Sequence, residues 1–284
     1  MMRFRRITQV AGAILCNGYF SALTLGHAYK GPLKGICLPV INCYACPMAI
    51  FSCPIGSMQH FMAIHTFPFL LVGLIGLFGL TLGRLTCGWI CPFGLLQDLL
   101  YKIPVQKIHI PGIFAHFKYA TLVLLVIIIP YLTGDPWFSK LCPAGTLTAG
   151  IPWVLMNPQN SQTGQAVIAP GAIGPFFLLK LAILGGFLAL FAMAKRPFCR
   201  TTCPLGAIFS LFNRFSVVQL KVDRGCRGCG SCQERCPVGL TANEGAGSGE
   251  CIRCLSCTSC SHVSVGVGAL GYCREPDSPG TKDQ

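Results

Sequence analysis

The segment TCGWICPFGLLQDLL, from Thr86 to Leu100, returns in altered form as FCRTTCPLGAIFSLF, from Phe198 to Phe212. Both contain the pattern Cys-x-x-x-Cys-Pro-x-Gly, and both follow a long apolar run that ends in basic residues: Arg84 in the first copy, Lys195 and Arg196 in the second. Chance rarely repeats a cysteine spacing with its proline and glycine attached. The chain is therefore predicted to contain an internal duplication, and functional sites in duplicated membrane domains tend to lie where the copies meet.

The shorter pattern Cys-Pro-x-Gly also occurs before the second and fourth apolar runs, beginning at Cys53 and Cys142. Proline is favoured at the first position of a helix, so each preceding cysteine is predicted to be the N-cap of a short re-entrant or interfacial helix. The free N–H groups at a helix N-terminus lower a thiol pKa and favour the thiolate that binds iron. We expect two repeats, about residues 1–112 and 113–215, that together form one membrane domain, residues 1–215.

The composition is that of a membrane protein. The 284 residues have a mean hydropathy of +0.60, and only 11% of them are charged. A bilayer core of about 30 Å requires roughly 20 apolar residues, and residues 61–82, 113–133 and 173–194 meet that length. Residues 10–26 are a shorter run, interpreted as a retained first helix rather than a signal peptide because another apolar run follows it. The prediction is an α-helical membrane protein with four transmembrane helices.

Basic residues predict the orientation of these helices. The formal net charge is +13, but the charges stand at the ends of apolar runs and not in one patch with aromatic residues, so no nucleic-acid partner is predicted. The positive-inside rule keeps Arg3, Arg5 and Arg6 in the cytoplasm and places residues 27–60 and 135–172 outside. We expect a multi-pass protein of the bacterial inner membrane with cytoplasmic N- and C-termini.

The cysteines outside the C-terminal region form two groups. Four thiolates are the number that an iron–sulfur cluster requires, so an additional cluster is predicted at Cys87, Cys91, Cys199 and Cys203, the alternative being inert buried cysteines. On the predicted outer side, a further cluster or another metal competes with disulfides, because that compartment is oxidising. The outer cysteines are Cys37, Cys43, Cys46, Cys53 and Cys142.

Residues 216–272 are predicted to form a cytoplasmic, ferredoxin-like α+β domain with two [4Fe–4S] clusters, followed by a polar tail at 273–284. The segment CRGCGSCQERCP has the bacterial ferredoxin spacing, in which the fourth cysteine of a run binds the cluster of the other run. The second run, CIRCLSCTSCSH, has two residues instead of three before its last cysteine and lacks the final proline, so Cys273 is an alternative to Cys260. Zinc is the competing metal. The predicted ligand sets are Cys226, Cys229, Cys232 and Cys260 for one cluster, and Cys251, Cys254, Cys257 and Cys236 for the other.

On these motifs the chain resembles the NapH/MauN group of ferredoxin-type membrane proteins, which is related to the polyferredoxin region of NosR and to CcoG. The resemblance covers nearly the whole chain. It rests on the four predicted spans, the two Cys-x-x-x-Cys-Pro motifs and the C-terminal cysteine runs. It implies a role in membrane electron transfer, often between the quinol pool and a periplasmic reductase or dehydrogenase system.

The predicted function is that of an iron–sulfur subunit that passes single electrons between quinol, or an outer-face redox partner, and its ferredoxin-like domain. The sequence shows no acid–base pair or open catalytic metal site, so we expect a component of a quinol-linked oxidoreductase complex rather than a stand-alone enzyme. The expected partners are the membrane, the quinone pool, and other redox subunits or a periplasmic oxidoreductase. Three alternatives remain: a copper-handling or copper-reducing assembly factor, a redox-sensing membrane regulator, and a transporter, which the scarcity of polar residues in the spans disfavours.

Overall fold

The computed structural model of the protein describes residues 2–22, 27–156, 174–223, 225–226, 229–245 and 247–267. These residues are mostly helical. The longer helices of the first half are Met2–Cys16, Pro54–Ala63, Phe69–Leu82, Leu85–Trp89 and Pro92–Leu100. The second half contributes Gly112–Thr133, Trp137–Leu141, Pro143–Gly145 with its continuations Thr146–Gly150 and Ile151–Met156, Pro175–Met193, Pro197–Thr201 and Pro204–Phe212.

Two of the predicted spans form helices that are long and apolar enough to cross a membrane. Gly112–Thr133 has 22 residues and Pro175–Met193 has 19. Only 28% and 11% of their most apolar stretches are buried, whereas the core helix of a soluble protein would be mostly buried. The apolar side chains therefore face outward, which supports membrane association.

The other two predicted spans differ from the prediction, so four transmembrane helices are not confirmed. The expected span 61–82 is divided into Pro54–Ala63 and Phe69–Leu82. His65, between the two helices, has a φ of +55°, and Pro68 has no N–H to continue an α-helical ladder. The first helix, Met2–Cys16, begins earlier than the expected run 10–26 and has 15 residues, while residues 23–26 lie outside the described part.

All four Cys-Pro-x-Gly motifs begin a helix as predicted. In each, the cysteine is the N-cap with extended backbone, and the proline occupies the first turn, where its missing N–H leaves no helical bond unmade. The four N-caps are Cys53, Cys91, Cys142 and Cys203. The motif therefore fixes where each cysteine stands relative to a helix end.

The C-terminal region has the predicted mixture of strand and helix. Strands Val218–Val222 and Val263–Val267 pair antiparallel, with Leu220 opposite Val265. Between them in the chain lie the helices Ser231–Arg235 and Ala242–Gly245 and a 3-10 turn, Ser256–Ser259. The strand pair brings the beginning and end of the two cysteine runs together.

One buried apolar cluster connects all these parts. It includes cysteines of the outer loop, of both repeats and of the C-terminal region, packed with Phe93, Phe191 and Phe198. The outer loop takes part because it folds inward: the side chain of Asn42 donates to the Cys16 carbonyl at 3.3 Å. The cysteine members of the cluster are Cys16, Cys53, Cys87, Cys91, Cys142, Cys203 and Cys254, with Cys37 and Cys236 packed against it.

Candidate cysteine sites

The four inner-motif cysteines come together in the buried core. Cys87 lies on the helix Leu85–Trp89 and Cys199 on Pro197–Thr201, and each is followed by its N-cap partner, Cys91 or Cys203. All four side chains are buried. The Cys203 thiol lies close enough to the other three to interact with them electrostatically. The structure thus gathers the cysteines that the sequence assigned to one site.

Two buried arginines cross between the repeats at this site. Arg84 Nη2 donates to the Cys199 carbonyl at 3.1 Å, and Arg196 Nη1 donates to the Cys87 carbonyl at 2.9 Å. Each arginine stands three residues before the first cysteine of its own repeat, yet contacts the first cysteine of the other. This reciprocal pairing is what a two-fold relation between the repeats requires. We call Arg84 and Arg196 the crossed arginines.

The two crossed arginines are paired with acidic side chains at different distances. Asp98 accepts from Arg196 Nε at 2.7 Å and Nη2 at 2.6 Å, and also from Arg5 at 3.0 Å. Glu250 lies 3.5 Å from Arg84 and pairs with Lys118. Arg84 also donates to the carbonyl of Gly249 at 2.7 Å, so its positive charge lies next to the segment that leads into the C-terminal cysteines.

Positive charge exceeds negative charge in the core around these cysteines. Within the described ranges, six basic side chains are buried, whereas the two acids that pair with them, Asp98 and Glu250, are only partly buried. A buried positive excess is costly unless negative groups offset it. Clusters with thiolate ligands are net negative, so the residues present fit such a group. The six basic residues are Arg5, Arg84, Lys118, Arg196, Arg200 and Arg253.

Hydrogen-bond donors also reach the inner sulfurs. Gln97 Nε2 donates to Cys199 Sγ at 3.1 Å, and the Gly206 N–H donates to Cys203 Sγ at 3.3 Å. The N–H of Gly206 lowers the pKa of Cys203 as predicted for a helix N-terminus, but burial outweighs it and the pKa is raised overall. The expected net lowering is therefore wrong for these thiols, because desolvation disfavours the charged form more strongly.

The contacts of Arg84, Arg196 and Gln97 were not predicted from the sequence. The arginines carried a detectable signal, since both precede their cysteine pairs by the same number of residues. Gln97 carried a weaker one: it follows Cys91 by six residues, and Gln59 follows Cys53 by six. Both glutamines are fully buried.

One predicted ligand set of the C-terminal region lines a single cavity. Cys236, Cys251, Cys254 and Cys257 surround about 430 Å³ of space, part of it open to solvent. Cys236 is hydrogen-bonded to Cys254, and that bond lowers the pKa of the Cys254 thiol. Cys236, the fourth cysteine of the first run, thus lies with the first three cysteines of the second run. We call these four residues the tail site.

The other predicted C-terminal set is less closely gathered in the described residues. Cys229 is exposed and Cys226 is half-buried. Cys232 accepts a hydrogen bond from the backbone of Ala242 at 3.2 Å, and it packs with Cys260 in a small apolar cluster. Residues 224 and 227–228, the alternative ligand Cys273 and the predicted polar tail 273–284 lie outside the described part.

The outer cysteines separate into two places. Cys43, Cys53 and Cys142 line one cavity, and Cys37 lies near Cys53 with its sulfur 3.2 Å from Ser57 Oγ. Cys46 is directed elsewhere, towards Asn17 Oδ1 at 3.6 Å. All 18 described cysteines are free, so none of the described outer cysteines forms the alternative disulfide. Among the described residues, no three Cys, His, Asp or Glu side chains are placed to hold a single metal ion.

The inner and tail sites lie next to each other. A Cβ at Gly88 would stand 2.6 Å from the Ile252 carbonyl oxygen and 3.7 Å from Cys254 Cα, so only glycine permits this approach. The neighbouring Trp89 Nε1 donates to the Arg253 carbonyl at 3.1 Å. The helix that carries Cys87 therefore packs directly on the segment that carries Cys254.

Comparison with known proteins identifies similarity to 4Fe-4S proteins. A family model described as a 4Fe-4S binding domain matches residues 64–111, 116–157 and 176–222, which contain both inner motifs and Cys142. An uncharacterized protein of Methanocaldococcus jannaschii is 30% identical over 219 residues, 73% of this chain and 82% of that protein.

Two ferredoxin-type relatives are similar over most of the chain. The methylamine utilization ferredoxin-type protein MauN of Methylorubrum extorquens is 29% identical over 82% of this chain and 73% of its own length. The ferredoxin-type protein NapH of Haemophilus influenzae is 26% identical over 82% of this chain and 74% of its own length. No solved structure matches.

Proposed function

Because this chain belongs to the family of ferredoxin-type 4Fe–4S proteins that includes MauN and NapH, we propose that it is the membrane subunit that carries single electrons between quinol, or an outer-face redox partner, and its ferredoxin-like domain. The inner motifs hold one cluster and the C-terminal cysteines hold two. The chain works as one component of a quinol-linked oxidoreductase complex. Its termini and the C-terminal domain are cytoplasmic.

The observation that carries this proposal is the direct packing of the inner site on the tail site. Electron transfer requires cofactors that are close together. Gly88 follows Cys87 and lies against the backbone of Ile252, two residues before Cys254. A soluble ferredoxin that was only tethered to a membrane anchor would not need a glycine-sized contact between the two parts.

The residues of the chain have defined tasks in this function. The cysteines supply thiolates, and the buried core keeps water away from them. The crossed arginines hold the two inner motifs in register and offset the negative charge of thiolate ligands. Gln97 and the Gly206 N–H donate to sulfur, which stabilises the thiolate form. When bound, the clusters supply one-electron chemistry.

A metal analysis of anaerobically purified protein tests the inner site. The variant in which Cys87, Cys91, Cys199 and Cys203 are all serine should lose about four iron atoms and as much acid-labile sulfide, while the ferredoxin signal survives. Cys16→Ser is the matched control, since Cys16 is buried in the same core but belongs to no motif. Unchanged iron in the quadruple variant would leave only the C-terminal region as a redox site.

A second measurement tests the electron path. In liposomes, a quinol should reduce the C-terminal clusters of the wild-type chain, and the quadruple variant should lose this reduction. Dithionite, which reaches the exposed C-terminal domain directly, should still reduce the variant. Quinol reduction that persists without the inner cysteines would contradict the proposed path. The copper-handling and redox-sensing alternatives stay predictions, and no contact in the described residues favours them.

A further inference from the structure

Three cysteines from separate parts of the chain meet at one cavity on the predicted outer side. Cys43 comes from the outer loop, while Cys53 and Cys142 are the N-caps of equivalent helices in the two repeats. The cavity encloses about 320 Å³ of space, part of it open to solvent, and its other walls are largely apolar. We call Cys43, Cys53 and Cys142 the outer site. The apolar wall residues include Ile41, Ile55, Phe138 and Ala144.

Backbone amides lie near each of these sulfurs. Each of the three thiols interacts with at least two amides close to it in the chain, although the N-cap thiols of Cys53 and Cys142 accept no capping hydrogen bond. A neutral thiol is a weak acceptor and needs no such donors, whereas a ligating thiolate is stabilised by them. These nearby amides belong to Ala45 and Cys46 for Cys43, to Ile55 and Gly56 for Cys53, and to Ala144 and Gly145 for Cys142.

The thiols of the outer site are not placed to hold a single ion. No three ligand-type side chains in the described residues are placed to hold one ion, and that includes both the outer site and the tail site. The tail site nevertheless has the cysteine spacing of an iron–sulfur cluster. A cubane is wider than an ion and holds its thiolates farther apart. A cluster therefore does not need the close spacing that a single ion requires.

The same loop supplies a fourth thiol, that of Cys37, whereas the thiol of Cys46 lies outside the cavity. The Cys37 thiol lies close enough to Cys53 to interact with it electrostatically, and the backbone of Cys37 bridges to Ser52, the residue before Cys53. Cys46, by contrast, does not line the cavity: it packs with Ala49 and Cys43 in a small cluster, and its thiol donates to Asn17 Oδ1. Positive charge is also at hand, because Lys34 and Lys180 both interact electrostatically with Cys43.

We propose that Cys43, Cys53 and Cys142, together with Cys37, bind a further iron–sulfur cluster at the outer end of the core. Residues 41–42 then connect this outer site to the inner site. The connection rests on two consecutive amides. Ile41 and Asn42 both line the outer cavity, and Ile41 packs in the same buried cluster as Cys53 and Cys91. The amide of Asn42 lies near Cys53 of the outer site, and the amide of Ile41 lies near Cys91 of the inner site. One peptide segment therefore touches ligands of both sites.

The binding of a cluster at the outer site is independent of the proposed function, whereas the role of residues 41–42 as an electron path rests on it. When clusters are bound, Cys37, Cys43, Cys53 and Cys142 would hold the outer one, which would accept one electron from quinol or an outer-face redox partner and pass it to the inner site without forming or breaking a bond. Together with the contact of Gly88, this arrangement joins the outer, inner and tail sites in sequence.

Cys142→Ser and Cys46→Ser form a matched pair of variants for the cluster. Both remove one buried thiol of the predicted outer side, but only Cys142 faces the cavity. In anaerobically purified protein, Cys142→Ser should lose about four iron atoms with an equal loss of acid-labile sulfide, and Cys46→Ser should match the wild type. Cys43→Ser, which alters a loop and not a helix N-cap, should repeat the loss if Cys142→Ser fails to accumulate.

Three outcomes would overturn the cluster assignment. Iron and sulfide that stay at the wild-type level in Cys142→Ser and Cys43→Ser would show that the cavity holds no cluster. An equal loss in Cys46→Ser would show that the effect is general destabilisation. Copper that co-purifies with the chain and leaves with Cys142, without any change in sulfide, would assign the site to a copper ion.

The electron path has its own readout. The electron paramagnetic resonance signal of the reduced inner cluster should relax faster in the wild type than in Cys142→Ser, because a nearby paramagnet speeds relaxation. If iron is lost but relaxation is unchanged, the outer cluster stands and its connection to the inner site is refuted. A failure of the proposed function would look different, since quinol reduction would then persist in the quadruple inner variant while both outer results were unaffected.

Discussion

At the scale of single residues, the crossed arginines explain how a duplicated motif becomes one site. A buried guanidinium requires partners for its charge and its five donors. Arg196 is paired with Asp98 and the Cys87 carbonyl. Arg84 donates to the Cys199 and Gly249 carbonyls and lies 3.5 Å from Glu250, while its Nε has no hydrogen-bond partner among the described residues. Each repeat therefore depends on the other to satisfy its arginine, which locks the two cysteine pairs together.

Neutralising a crossed arginine should lower the midpoint potential of the inner cluster. Loss of a nearby positive charge makes the addition of an electron less favourable, so Arg84→Gln and Arg196→Gln should each shift it down by about 60 mV, a tenfold change in a one-electron equilibrium. Arg84→Gln should also lower the potential at the tail site, because Arg84 reaches Glu250 beside Cys251. The measurement is a potentiometric titration followed by electron paramagnetic resonance.

Two controls accompany these variants. Arg214→Gln removes an exposed arginine and should leave both potentials unchanged. Arg84→Lys retains the charge, so its midpoint potential should stay close to that of the wild type, even though lysine cannot reproduce the forked contacts. Potentials that fall equally in Arg214→Gln would assign the effect to net charge rather than to the crossed arginines.

The two C-terminal ligand sets should respond differently to single substitutions. Cys254→Ser removes a buried thiol from the tail site and should abolish that cluster, with a loss of about four iron atoms. Cys260→Ser should leave the tail site intact, because Cys260 is not among the residues around that cavity. Iron content with Mössbauer spectra distinguishes the two. Loss of the tail-site cluster in Cys260→Ser would refute this division of the ligands.

At the scale of elements, the close contact of the helix Leu85–Trp89 with residues 252–254 joins the two halves of the molecule. Gly88 is the residue that permits it. Hydrogen bonds on both sides hold the position: Gln9 Nε2 donates to the Gly88 carbonyl at 3.0 Å, and Trp89 donates to Arg253. The N-terminal helix, the inner motif and the tail site thus meet at one glycine.

Gly88→Val should therefore separate these elements. A side chain there collides with the Ile252 carbonyl, so we expect a loss of about 1–3 kcal/mol in stability and slower reduction of the tail site through the inner site. Gly76→Ala is the control, since nothing lies within 4 Å of a Cβ at that helical position and alanine favours the helix. Thermal unfolding in detergent and quinol-driven reduction provide the readouts. A Gly88→Val protein as stable as Gly76→Ala would contradict the contact.

At the scale of the whole molecule, the structure supports membrane association through two helices with outward apolar surfaces, whereas the multi-pass topology stays a prediction. Reporter fusions test it. A fusion at residue 107 and one at the C-terminus should be fluorescent, as cytoplasmic ends are, and a phosphatase fused at residue 160 should be active outside. A phosphatase that is active at residue 107 would reverse the orientation derived from the basic residues.

The sequence was informative wherever the determinant was local. Proline after cysteine places the cysteine at a helix N-cap because proline tolerates only the first turn, and all four motifs behave in this way. Hydropathy located Gly112–Thr133 and Pro175–Met193 because the apolar character of a helix is also a local property of the sequence. It failed at residues 64–68, where a run without charges concealed the break that Pro68 imposes. Average hydropathy measures apolarity and carries no information on backbone geometry.

The family, the cysteine spacings and the N-cap positions could thus be read from the sequence, because each depends on residues only a few positions apart, whereas the ferredoxin ligand pattern stays a prediction. Only the folded chain shows which thiols share a cavity, that the arginines cross between repeats, and that Cys43 lines the outer cavity whereas Cys46 of the same loop does not. These are contacts between segments distant in the chain. Such contacts are selected by packing and by the pairing of buried charge, which no local pattern of residues records.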